Sequence, residues 1–171
     1  MSKAMGLSAL LRADDDPADS KAGRRAAKDA ILQYFRAVAS RDQAALTSIL
    51  AEDAVYEIPF SESGSTDPGQ YRRYSGRDSV VAFWMETLKG GLKSLGSSEV
   101  ELSITPDGHR VFIEQRGDIL MPDGKSYRNR YVFRFTIAEG KVKEVREYYN
   151  PVTAAYAFGR KIAHKYVVDS I

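Results

Sequence analysis

The chain has 171 residues, 43% of them hydrophobic, with 25 Lys or Arg, 23 Asp or Glu and a net charge of +2. That length fits one domain plus a tail, and the near-neutral balance lacks the basic stripe of a dedicated nucleic-acid binder; Arg72, Arg73 and Arg77 are too few to supply one. The absence of cysteine and the presence of only two histidines, His109 and His164, argue against disulfides, thiolate zinc sites and a multi-histidine metal centre.

Residues 1–20 read as a flexible leader, because Asp14-Asp15-Asp16-Pro17 is a like-charge run ending in a helix breaker. The leader lacks a full signal-peptide apolar region. No apolar run in the chain approaches the ~20 residues that span a bilayer, so a cytoplasmic protein that does not engage the membrane is expected. From Lys21 a helical period begins, with Ala27, Ile31, Tyr34, Phe35 and Val38 on one side. Asp42 is a plausible N-cap for a second, shorter helix that turns Leu46, Ile49 and Leu50 inward. Val55 to Phe60 reads as a strand, and residues 61–70 read as a loop rich in turn formers. Gly76-Arg77-Asp78 leads into a third helix whose apolar side is Val80, Val81, Trp84, Met85 and Leu88, and Gly90-Gly91 ends it. Val100–Ile104 and Arg110–Leu120 read as strands, and His109, beside Gly108, as an exposed turn residue. Pro151 to Phe158 reads as helical with Gly159 as its C-terminal cap; residues 161–171 form a tail in which His164 reads as surface.

Residues 127–151 carry the most information. Tyr127, Asn129, Tyr131, Phe133, Phe135 and Ile137 alternate with Arg128, Arg130, Val132, Arg134 and Thr136, so one strand face is largely aromatic and the other largely cationic. Glu139-Gly140 supplies a tight turn, and Val145, Glu147 and Tyr149 share one face of the returning strand. If that face is the aromatic one, desolvation lifts the Glu147 carboxyl toward neutrality and makes it an acid or base. If it is the wet face, Glu147 pairs with an arginine instead. The strand pattern leaves both readings open, because a one-residue change of register exchanges them. Helices gathered before a run of strands imply an α+β domain in which three N-terminal helices are wrapped by a conical, curved antiparallel sheet, with an apolar pocket at the open end.

Several of these segments resemble nuclear transport factor 2-like domains. Tyr34-Phe35, Ser40-Arg41-Asp42 and Ala51-Glu52-Asp53-Ala54-Val55 are similar to their opening; Gly76-Arg77-Asp78 is similar to the start of their third helix; Glu139-Gly140-Lys141-Val142 with Arg146-Glu147-Tyr148 is similar to their closing hairpin. The resemblance covers residues 21–160. Within that superfamily the chain most resembles the SnoaL-like, ketosteroid isomerase-related group, which includes polyketide cyclases and the phenazine-biosynthesis proteins A and B. The resemblance implies a cystatin-like α+β barrel, commonly a homodimer, with a deep pocket and no cofactor. It also favours the pocket side for Glu147.

Three reactions of the superfamily can be compared with this chain. The steroid isomerase pattern needs a carboxylate where Ile58 stands; Tyr34 matches its helix tyrosine, and Tyr131 replaces its second acid. The limonene-type epoxide hydrolase pattern resembles Arg116-Gly117-Asp118 with Glu147 as second acid and Tyr56 holding water, but Ile58 replaces its asparagine. The phenazine-type pattern resembles Arg146-Glu147-Tyr148-Tyr149-Asn150 and Tyr127-Arg128-Asn129, with Phe83 where that group has a histidine and Thr87 one turn later. The resemblance therefore implies Glu147 as acid/base, with Asp118 and Tyr56 as further catalytic candidates. It implies Tyr34, Ile58, Phe83, Trp84, Thr87, Asn129, Tyr131, Phe133 and Tyr149 as ligand-binding candidates, and Phe112 as a further apolar wall. The expected ligand is a hydrophobic or aromatic small molecule and the expected chemistry is isomerisation, cyclisation or dehydration; a non-catalytic binding domain is the alternative. Dimerisation through the outer sheet face, using Arg128, Arg130 and Arg134 with acids such as Glu144, is also expected.

Overall fold

The computed structural model describes residues 17–162 except 61, 62, 66 and 68. Most of the leader, the end of the tail and His164 lie outside the described residues. Helix α1 spans Lys21–Ser40 and begins where the Ser20 side chain accepts the Gly23 amide. Its apolar stripe, Ala27, Ala30, Ile31, Tyr34 and Ala37, is buried. Arg41 takes a left-handed conformation at its C-terminus, and Asp42 then caps α2, Gln43–Ile49, by accepting the Ala45 amide at 2.9 Å.

Six strands form one curved, unclosed sheet in the order β2-β1-β6-β5-β4-β3. They are β1 (Leu50–Ile58), β2 (Arg72–Ser75), β3 (Lys93–Ile104), β4 (Arg110–Leu120), β5 (Ser126–Ala138) and β6 (Lys141–Tyr149). Helix α3, Arg77–Lys89, joins β2 to β3, and a short α4, Pro151–Ala157, follows β6. The α+β architecture is the one expected, with three differences. The sheet is mixed, because β1 and β6 run parallel while every other pair is antiparallel. Residues 72–75, to which the sequence pattern assigns no element, form β2; a four-residue strand is too short to show a clear alternation. Strand β3 also begins seven residues earlier than expected, with register breaks around Ser94–Gly96 and Ser98–Glu101 that interrupt its pattern.

The core lies between α1, α2, α3 and the inner face of the sheet, around the buried Tyr34, Leu46, Tyr56, Val80 and Phe135. The β5–β6 hairpin closes through Glu139 and Gly140, whose φ angles of 51° and 72° are those of a primed turn matching the strand twist. Among the described residues no helix is long and apolar enough to cross a membrane.

Candidate functional site

Strand register decides which way Glu147 points. Phe133 stands opposite Glu147, Tyr131 opposite Tyr149 and Phe135 opposite Val145. Opposed residues share a face, so Glu147 lies with the aromatic file of β5. The arginine-paired role falls to Glu144 instead, one step across the pleat, where it binds Arg134 and Arg146 on the outer face.

A cavity of about 1480 Å³ opens on the inner face, with Glu147, Tyr131, Phe133 and Tyr149 on its sheet side. Ile58 at the end of β1 and Phe83, Trp84 and Thr87 of α3 line it from the other side. Glu147 is only 9% exposed. The fully buried Tyr56 hydroxyl donates to its Oε2 at 2.6 Å. Burial raises the Glu147 pKa, while the Tyr56 hydrogen bond and the charge of Arg72 pull it down, and it settles at about 7. Burial and the Glu147 charge push the Tyr56 phenol well above its ordinary value, so it stays protonated and remains a donor at neutral pH. The arrangement is a carboxyl that can give or take a proton near neutrality, held by a phenol and facing an apolar space.

The aromatic walls are fixed by one another. Phe83 stacks on Tyr74 with ring centres 4.3 Å apart and touches Tyr56 at 5.1 Å. Tyr131 stacks on Phe133 at 5.7 Å. Gly117 of β4 makes room for that ring: a Cβ there would come within 2.9 Å of Tyr131 Cε2. Gly117 keeps regular register opposite Asn129 and is neither a bulge nor a turn.

Several expected site residues are elsewhere. Tyr34 is not on the cavity wall; it is buried below it, and the Trp84 indole N–H donates to its hydroxyl at 2.7 Å. Asn129 is a clamp between strand ends. Its amide nitrogen donates to Tyr127 Oη at 2.9 Å and to the Asn150 carbonyl at 3.0 Å, and its oxygen accepts the Arg130 and Asn150 amides. Those four bonds use its whole capacity and leave nothing for a ligand. Asp118 points to the outer face, where it accepts from Arg128 at 2.8 Å and Ser126 at 2.9 Å. Those partners hold its carboxyl below the usual range. Arg116 reaches Glu99, not Glu147. The Arg–Asp–Glu constellation of the epoxide hydrolase reading is therefore not assembled, because Arg116 and Asp118 share the face opposite to Glu147. Phe112 is 40% exposed on that same outer face and is not a pocket wall. Tyr56 acts from behind Glu147, not from the cavity surface. His109 is exposed, as its turn context suggests.

Sequence reasoning missed Arg72. The cluster Arg72-Arg73 is divided by the pleat of β2. Arg73, opposite Glu57, forms an ion pair with that buried carboxylate on the outer side. Arg72, opposite Ile58, lines the cavity and donates to the Tyr149 hydroxyl. Tyr71-Arg72-Arg73-Tyr74 carries no alternation that could have found it, because the four residues of β2 are too few to show a period.

Comparison with known proteins agrees with this architecture. The family model described as SnoaL-like domain matches residues 31–145. A Bacillus subtilis (strain 168) protein named YesE, described as uncharacterized, is 24% identical over 133 residues, 77% of this chain and 86% of its own length. Among solved structures, a provisionally assigned isomerase from Bacillus subtilis superposes with a TM-score of 0.68 at 20% identity, covering 82% of this chain and 99% of that one. A phenazine biosynthesis-related protein from Pseudomonas aeruginosa gives 0.60 at 18% identity, covering 87% and 95%. At these identities the structures show a shared fold.

Proposed function

The chain belongs to the SnoaL-like domain family, and from that premise we propose that its cavity binds a hydrophobic or aromatic small molecule and that Glu147 moves a proton at one of its carbon atoms. One observation carries the reading: a buried carboxyl on the cavity wall, titrating near neutrality and held by the Tyr56 hydroxyl at 2.6 Å. Proton transfer at carbon, as in isomerisation, cyclisation or dehydration, needs a base strong enough to accept the proton and weak enough to return it at the same pH. The aromatic walls would exclude water and hold a flat ligand. The test uses an enolisable ketone fused to an aromatic ring, β-tetralone, in deuterated water. Exchange at the α-carbon followed by NMR should be catalysed by the protein and should fall by about 10²-fold or more in Glu147→Gln, with ketone binding retained. Unchanged exchange in the variant would remove Glu147 from the mechanism.

A second reading, a binding domain without chemistry, is favoured by the lining itself. Among the described residues no histidine lines the cavity, and Glu86 is its only acid besides Glu147. Ketone binding without exchange in the unaltered protein would support this reading.

We further propose that two copies pair through the outer sheet face, where the half-exposed Phe112 and Val132 sit among the Arg128–Asp118, Arg130–Glu99 and Arg134–Glu144 ion pairs. Light scattering should give the mass of a dimer, and Phe112→Glu should return a monomer.

A further inference from the structure

The inner face of β4 is a file of apolar residues with one interruption. Val111, Ile113, Gly117 and Ile119 hold its inward positions, and between Ile113 and Gly117 stands Gln115, partly buried and on the cavity wall. Strand β4 is paired on both sides, by β3 and β5, so its backbone asks nothing of a side chain here. A carboxamide drawn out of water at such a position is costly unless something bonds to it.

The other polar groups that β4, β5 and β6 present to the cavity are engaged. Glu147 accepts from the Tyr56 hydroxyl at 2.6 Å, Tyr149 accepts from Arg72, and Tyr127 accepts from Asn129 at 2.9 Å. Tyr131 interacts with the same Tyr127 hydroxyl. Among the described residues the Gln115 side chain has no hydrogen-bond partner. Its two N–H donors and its carbonyl acceptor stand available on the wall.

The place of Gln115 relative to Glu147 follows from register. Gln115 stands opposite Tyr131, and Glu147 opposite Phe133. These two rings, stacked on each other, lie between the two polar groups. Two strand spacings and one inward step separate Gln115 from Glu147, roughly 12 Å along the wall. The wall therefore presents an acid, then an aromatic surface, then a neutral carboxamide. A carboxamide both donates and accepts, and the smallest group that matches it in both respects is a hydroxyl; a ketone only accepts.

Resting on the pocket reading above, we infer that Gln115 is a specificity-determining residue of the site, binding a hydroxyl at one end of an elongated ring ligand whose ketone end lies at Glu147 and whose rings lie along Phe133 and Tyr131. Because Gln115 is partly exposed, water competes for it, and the discrimination is smaller than in a sealed site.

The test uses three ketones on one flat frame, dihydrophenanthrenone, with the ketone at one end and a hydroxyl, a methyl group or hydrogen at the other. Affinities are measured by calorimetry. The unaltered protein should bind the hydroxy ketone about tenfold more tightly than the methyl ketone. Gln115→Met, close in size and shape, should bring that preference to within about twofold while keeping its affinity for the methyl ketone. The preference should persist in Glu147→Gln, because the two groups hold opposite ends of the ligand. Equal binding of the hydroxy and methyl ketones by the unaltered protein would overturn the assignment and leave the pocket reading standing. So would a preference that survives Gln115→Met, or one that disappears in Glu147→Gln. Failure of all three ketones to bind would remove the pocket reading and this assignment with it. If Gln115→Met loses the methyl ketone as well, Gln115→Glu and Gln115→Leu decide: a preference kept with Glu, which still bonds a hydroxyl, and absent with Leu supports the assignment, and equal behaviour of the two overturns it.

Discussion

Tyr56 and Glu147 meet across the parallel seam of the sheet, phenol to carboxylate, at 2.6 Å. The seam matters because β1 and β6 are neighbours only through the crossover, 91 residues apart in the chain. The bond stabilises the ionised form of Glu147, so it works against burial, which stabilises the neutral form. Tyr56→Phe removes that donor and keeps the ring packed between Phe83 and Trp84. The Glu147 midpoint should therefore move above about 7, by roughly one unit, in an NMR titration of labelled glutamate carboxyls. If exchange chemistry uses Glu147 as the base, its pH profile should move the same way. A midpoint that stays in place or falls would mean that the hydroxyl is not bonded to the carboxylate in solution.

The raised carboxyl of Glu147 also makes folding depend on pH. Below about 4.5 it is protonated in both folded and unfolded chains and has no effect on stability. Between about 4.5 and 7 the unfolded chain releases the proton while the folded protein retains it, so stability falls as pH rises. Above about 7 both forms are ionised and the penalty is complete, on the order of 3 kcal/mol. Glu147→Gln has no such penalty. Relative to the unaltered protein it should gain stability between about pH 5 and pH 8, measured as the difference between their urea midpoints at each pH. A constant difference would place the Glu147 carboxyl in contact with water.

The legible parts of the molecule are those with local signals. Asp42 is a capping residue in an isolated helix and in this one, and Glu139-Gly140 makes its turn from its own backbone. The hairpin was legible as two alternating faces, but not which face was inside. That depends on which β5 residue stands opposite Glu147, and the answer, Phe133, is set by a turn and a register break after Thr136 acting together. Arg116-Gly117-Asp118 shows the limit from the other side. Its spacing puts Arg116 and Asp118 on one face of β4, but only the pairing with Arg128 and Glu99 shows that this face is the outer one. Arg72 was invisible for the same reason: its partner strand begins before a loop, and the four residues of β2 acquire an inside only by pairing with β1.

Asn129 illustrates how a family likeness can mark a structural residue as a ligand contact. Its side chain bridges Tyr127 and both backbone groups of Asn150, where β6 gives way to α4. Asn129→Ala leaves those groups without partners in a mostly buried place, at a cost of about 2–3 kcal/mol. The melting temperature should fall accordingly, while ligand affinity measured well below the transition stays within about twofold. Lost affinity with unchanged melting would return Asn129 to the ligand site.

Gly117 is the position where a single methyl group tests the shape of the cavity. Its φ is not in the left-handed region, so alanine meets no backbone penalty there. The cost is steric, because the added Cβ would lie 2.9 Å from Tyr131 Cε2. That ring cannot simply slide away, being stacked on Phe133 at 5.7 Å and set edge-on to Tyr149 at 6.0 Å. The strain should cost about 1–3 kcal/mol, as overpacking does in cores, or be relieved by tilting Tyr131 into the cavity. Both outcomes weaken binding of a flat ligand, the first through a loosened wall and the second through a smaller space. Gly117→Ala should therefore lower ligand affinity by about tenfold or more with a modest drop in melting temperature. Unchanged affinity and melting together would show that Tyr131 is not a fixed wall of the site.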